Sequence, residues 1–73
     1  MRANPVVIDE VIKMKTQYLV RQLCNRGMTE DSAIIAVTRS ETYAMLMNKR
    51  TKYFTESYES LLDMLLCEIN VNR

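Results

Sequence analysis

The sequence predicts an all-α fold: a small bundle of three to four helices forming one domain over residues 1–73. Three observations carry that prediction. The chain holds one Gly and one Pro, too little punctuation for a loop-rich or hairpin-rich fold. Its apolar residues recur at three- and four-residue spacing along most of its length. Helix-starting and helix-stopping residues stand at the ends of those periodic runs.

The first helix is expected over about 5–26. Asn4-Pro5 reads as an N-cap followed by Pro at the first helical position, where its missing N–H costs nothing. Asp9 and Glu10 lie toward the positive end of the helix dipole, Arg21 and Arg26 toward its negative end. Gly27 follows the last turn, at the usual left-handed stop. Between these limits Val7, Ile8, Val11, Ile12, Met14, Tyr18, Leu19 and Leu23 form one wide apolar stripe.

Thr29 is the expected cap of a second helix, 29–39, with Glu30 and Asp31 in its first turn and Ala33, Ile34 and Val37 as its apolar face. A break is expected at Arg39–Ser40, although no Gly or Pro forces it; one helix from Thr29 to Lys49 is the alternative. Either Ser40 or Thr42 is suited to cap the third helix, 41–49, with Tyr43, Leu46 and Met47 inward. "NKRTKYF" breaks the periodicity and reads as a loop or short extended segment. Thr55 or Ser57 then caps the last helix, 57–71, whose stripe is Tyr58, Leu61, Leu62, Leu65, Leu66 and Ile69. The stretches "SETYAMLM" and "TESYESLL" thus read as two helix starts written in one grammar.

Size and composition narrow the functional classes. A chain this short buries only about 60% of its unfolded surface, so a further source of stability is expected. Disulfides are not the expected source: Cys24 and Cys67 lie in apolar helical runs, read as small buried hydrophobes, and follow no secretory leader. A structural metal is not expected either, because the chain has no His and only two cysteines. With nearly half the residues apolar and six of them Met, a partner subunit is the natural expectation, and a homodimer the simplest form of it. Net charge is +1, but residues 1–26 sum to +3 and residues 58–73 to −2, which favours association of the two ends within or between chains. No apolar run approaches the roughly 18 residues a membrane span requires, so a cytoplasmic protein is expected.

Nothing in the sequence points to catalysis or to a cofactor. Without His, the commonest general base and partner of a Ser or Cys nucleophile is missing. A single Gly leaves no phosphate-binding loop. Asp9, Glu10, Glu30 and Asp31 read as capping and solvating groups.

Binding is the better-supported class. The cluster Lys49, Arg50 and Lys52 beside Tyr53 and Phe54 is a candidate contact surface, as basic groups next to stacking aromatics suit nucleic acid. The simpler alternative is a solvated loop with its aromatics tucked into the core. Ile35, Met45 and Met64 fall off the main stripes and mark an interface if exposed together, whereas Met14 and Met47 read as core filling. A helix-turn-helix laid on residues 29–50 puts Ala33, Tyr43 and Leu46 at suitable positions. It fits poorly at Val37, and its basic residues come late in the recognition helix.

The run Ser40, Thr42-Tyr43, Leu46, Thr51, Glu56-Ser57 and then an apolar helix resembles a family of very short, uncharacterised bacterial helical proteins. Their phrase is close to S-x-T-Y-x-x-L, then T, then E-S. The leading helix carrying "QYLV" is similar in character only. The resemblance implies an all-helical fold and a bacterial or prophage source. It assigns no reaction, and an occasional toxin–antitoxin-like gene neighbourhood implies an antitoxin-like or adaptor role. Asn48-Lys49-Arg50 stands where that family commonly carries acidic residues, so a shared partner does not follow. The expected function is a non-enzymatic protein–protein interaction or regulatory module, with a small DNA-binding regulator using residues 29–50 as the alternative.

Overall fold

A computed structural model describes residues 5–71, with side-chain surroundings from Val7 to Asn70. The elements are α1 (Pro5–Asn25), α2 (Glu30–Thr38), α3 (Glu41–Met47), two single 3₁₀ turns (Lys49–Thr51 and Tyr53–Thr55) and α4 (Tyr58–Val71). No strand occurs among the described residues. The fold is therefore the predicted all-α bundle, and the break between the second and third helices falls at Arg39–Ser40 as expected. Asn4, the expected first cap, lies outside the described residues.

α1 is the spine. α2, α3 and α4 all pack on it, and the whole measures 41 × 21 × 18 Å. A helix of 21 residues rises about 31 Å, so α1 sets most of the long dimension. Ile12, Leu19 and Leu23 of α1 meet Ala33 and Val37 of α2, Leu46 of α3, and Leu61 and Leu65 of α4 in one core cluster. Burying each of these leucines contributes about 1.5–3 kcal/mol.

Helix ends are closed by local chemistry. At the end of α1, Met28 N–H donates to Leu23 O (3.2 Å) and Gly27 N–H to Cys24 O (3.0 Å). This is the paired pattern of a left-handed helix stop, and Gly27 has φ +105°. Thr29 caps α2 by accepting from Ser32 N–H at 3.2 Å. Ser40 caps α3 by accepting from Tyr43 N–H (3.0 Å), and the same buried hydroxyl donates to Val37 O (2.6 Å). One side chain thus ends α2 and begins α3. Ser57 caps α4 by accepting from Ser60 N–H at 3.1 Å.

The other two candidate caps have different jobs. Thr42 is the second residue of α3, buried, with its hydroxyl donating to Glu68 (3.0 Å). Thr55 ends the second 3₁₀ turn, where its hydroxyl donates to Lys52 O (2.6 Å). In each phrase the serine immediately before the helix is the one placed to reach the third N–H.

Several expected core positions face outward. Met14 is 54% exposed and Val7 56%. At about 100° per residue, Met14 stands about 140° around α1 from Leu19, beyond what three neighbouring helices cover. Met47 is 50% exposed, about 100° from buried Leu46 on a helix of seven residues. Ile34 likewise flanks the buried Ala33–Val37 line. Cys67, expected to be buried, is exposed, because it stands about 160° around α4 from Leu65.

Two charged residues turn toward the core. Lys15 is only 8% exposed, four residues before Leu19 and three after Ile12. Glu68 lies three residues after Leu65, half-buried. Both are used to tie segments together.

Candidate functional site

The segment between α3 and α4 carries the predicted basic cluster, and it is held firmly. Asn48 Oδ1 accepts from Arg50 N–H (3.1 Å), and the Thr51 hydroxyl donates to Met45 O (2.6 Å). Lys52 joins the two 3₁₀ turns in the left-handed region, φ 60°. A non-glycine residue there costs about 1–2 kcal/mol. The segment is thus a loop built of two tight turns, the first of the two forms the sequence suggested, and not an extended stretch.

Lys15 pins this segment from below. Its ammonium donates to Phe54 O (2.7 Å) and to Glu56 O, and lies 5.4 Å from the Tyr58 ring centroid. Tyr58 in turn meets Tyr18 edge-on, with centroids 4.9 Å apart and planes at 83°. Burial pushes the Lys15 amine below its ordinary value, partly offset by the nearby Glu56 carboxylate. This amine is a structural tie between α1 and the turns.

Glu68 ties α4 to α3 in a comparable way. Its carboxylate accepts from Glu41 N–H (2.6 Å), Thr42 N–H (3.0 Å) and the Thr42 hydroxyl (3.0 Å). Burial alone raises a carboxyl pKa, but these three donors outweigh it and hold Glu68 below its ordinary value of about 4.5. Together with Ser40 it satisfies the first free N–H groups of α3.

With the turns anchored, Lys49, Arg50 and Lys52 project into solvent, while Tyr53 and Phe54 are half-buried against the core. Tyr53 is thus not displayed beside the cations as a stacking surface. Of the three off-stripe apolar candidates, Ile35 (52% exposed) and Met45 are exposed, but Met64 is half-buried against the core. The structure does not bring the three together as one exposed patch.

A different surface stands out. Two open hollows, each about 530 Å³, abut along one side of α1 and share Thr16 and Gln17. One runs under Tyr43, Met47 and Lys49, with Ile12 as its floor; the other runs under Glu30 and Ile34, with Val20 and Cys24 as its floor. Together they form a furrow along α1 from Asp9 to Cys24, about 22 Å at 1.5 Å per residue. Lys13, Lys49 and Arg21 stand on its rim with Asp9 and Glu30. Lys49 pairs with Asp9 at 2.9 Å, an exposed contact worth about 0–1 kcal/mol.

Sequence reasoning missed this furrow because it is a space between elements, bounded in part by residues the apolar stripes place in the core, Ile12 and Tyr43 among them. Ile34 and Met47 were assigned to the core, and Lys13 and Gln17 carried no signal at all.

Among the described residues no group of three or more His, Cys, Asp or Glu is placed to hold a metal. No described helix is long and apolar enough to cross a membrane. Comparison of the chain with protein-family models, with curated proteins and with solved structures finds no match.

Proposed function

We propose that the chain is a non-enzymatic protein–protein interaction module that holds an amphipathic helix of a partner protein in the furrow beside α1. The observation that carries this reading is the furrow itself: two open hollows along α1 that share Thr16 and Gln17 and together span a helix's length, with apolar and charged residues in their lining. Helix-in-groove recognition uses apolar anchors at i, i+3/i+4 and i+7, which match a lining that includes Ile12, Val20, Ile34 and Met47. At the α3 end, Lys13 and Lys49 are followed by exposed Arg50 and Lys52, so the partner helix carries Asp or Glu toward that end. The surface pair Lys49–Asp9 is weak enough to exchange for such a carboxylate. An antitoxin-like adaptor of the family the sequence resembles fits this reading, with a toxin as the partner.

The DNA-binding alternative draws less support. Recognition helices read bases from their N-terminal part, and here that part of α3 carries exposed Glu41 and the Glu68 carboxylate.

Selection of helical peptides from a displayed random library against the full chain tests the proposal. The expected binders carry heptad-spaced apolar residues with an acidic flank, and lose affinity for the Met47→Asp and Ile34→Asp chains. Binders indifferent to both substitutions would refute the furrow. Low-salt retention of duplex DNA that disappears when Lys49, Arg50 and Lys52 become Ala would favour the alternative.

A further inference from the structure

The outward face of α1 carries a second pattern, separate from the core stripe. Val7, Glu10, Met14, Gln17, Arg21 and Cys24 follow one another at alternating spacings of three and four, the repeat of a coiled-coil seam. The first five are exposed and Cys24 is half-buried. The stripe runs down the side of the helix opposite Ile12, Leu19 and Leu23. Two of its members, Val7 and Met14, are the most exposed large hydrophobic residues among the described ones. The single ion pair among the described residues is Lys49–Asp9, so Glu10 and Arg21 have no charge partner among the described residues.

A hollow of about 220 Å³ lies on this face, bounded by Met14, Gln17, Tyr18 and Arg21, with Tyr58 on its flank. Those four α1 residues stand at i, i+3, i+4 and i+7, the four corners that receive one knob from a facing helix. The hollow is therefore a ready hole beside an exposed Met14.

We propose that the occupant is a second copy of this chain, with the two α1 helices packed antiparallel about a two-fold axis. Charge decides the direction. Parallel packing sets Glu10 against Glu10 and Arg21 against Arg21, whereas antiparallel packing sets Glu10 of each copy against Arg21 of the other. In that register Met14 of one copy faces Gln17 of the other and enters the hollow, and Val7 faces Cys24. The two-fold axis fills both hollows at once, as a self-complementary interface requires. The seam shares Gln17, Arg21 and Cys24 with the furrow. Met47 and Ile34, the residues that test the furrow, are not part of the seam.

Sedimentation of the full chain, with circular dichroism to confirm that each variant stays helical, tests the dimer. The wild type is expected to approach twice its 8.6 kDa mass at high micromolar concentration. Glu10→Arg alone and Arg21→Glu alone should each weaken association about tenfold or more, and the double exchange should restore it. A Cys67→Ser chain that also carries Val7→Cys should form a disulfide-linked dimer through Cys24 on mild oxidation, while Cys67→Ser alone should not. A wild type that stays monomeric, single exchanges that dimerise normally, a double exchange that does not recover, or absence of the cross-link would each overturn the proposal. Met47→Asp and Ile34→Asp, which lie outside the seam, should leave dimerisation unchanged, so the two readings fail separately.

Discussion

Replacing Glu68 by Ala removes three acceptor contacts at once. Two of the donors, the Thr42 N–H and hydroxyl, are partly buried, and the third, Glu41 N–H, is exposed and regains water. An orphaned buried donor costs about 1–3 kcal/mol, so the loss is about 2–3 kcal/mol, most of it from Thr42. Unfolding entropy near 2.1 cal/mol/K per residue gives about 0.15 kcal/mol/K for 73 residues. The melting temperature should therefore fall by about 13–20 °C, read by circular dichroism at neutral pH. The pH dependence identifies the charge as the cause. Glu68 titrates below its ordinary value in the fold, so its contribution is full above about pH 4.5 and is lost as pH falls through the folded value. Glu68→Gln should thus be less stable than the wild type at pH 7 and converge with it in acid. A fall of under about 3 °C for Glu68→Ala would refute the clasp, and a Gln difference unchanged down to pH 3 would refute the role of the charge.

Lys15→Met keeps the bulk of the side chain but removes its donors to Phe54 and Glu56. Amide exchange over residues 49–57 should quicken about tenfold, matching about 1.5 kcal/mol, while α1 and α2 stay protected; uniform protection across the chain would show that the tie is not needed. Gly27→Ala meets no atom within 4 Å of the added Cβ, so its cost is backbone strain alone, about 1–2 kcal/mol at φ +105°. Urea unfolding should show that loss with an unchanged slope, and a neutral result would mean that the stop relaxes out of the left-handed region.

Local grammar made most of the fold legible. The positions of Gly27, Thr29 and Ser57, and the break before Ser40, depend on backbone groups within a few residues, and so does the spacing of Leu19, Leu23, Leu61 and Leu65. Such signals are complete in the sequence because both partners lie on the same stretch of chain. Lys15 and Glu68 were legible in part: each is a charge at a stripe position, which flags it, but its partners lie 39 to 41 and 26 to 27 residues away. Only the tertiary structure decided how much of each wide stripe the neighbours cover. Four short elements packed on one long helix bury its Leu19 line and leave Met14 and Met47 in the open. The furrow and the hollow beside Met14 arise from the same geometry. They are spaces between elements, set by which helix lies against which, and no single stretch of sequence encodes them.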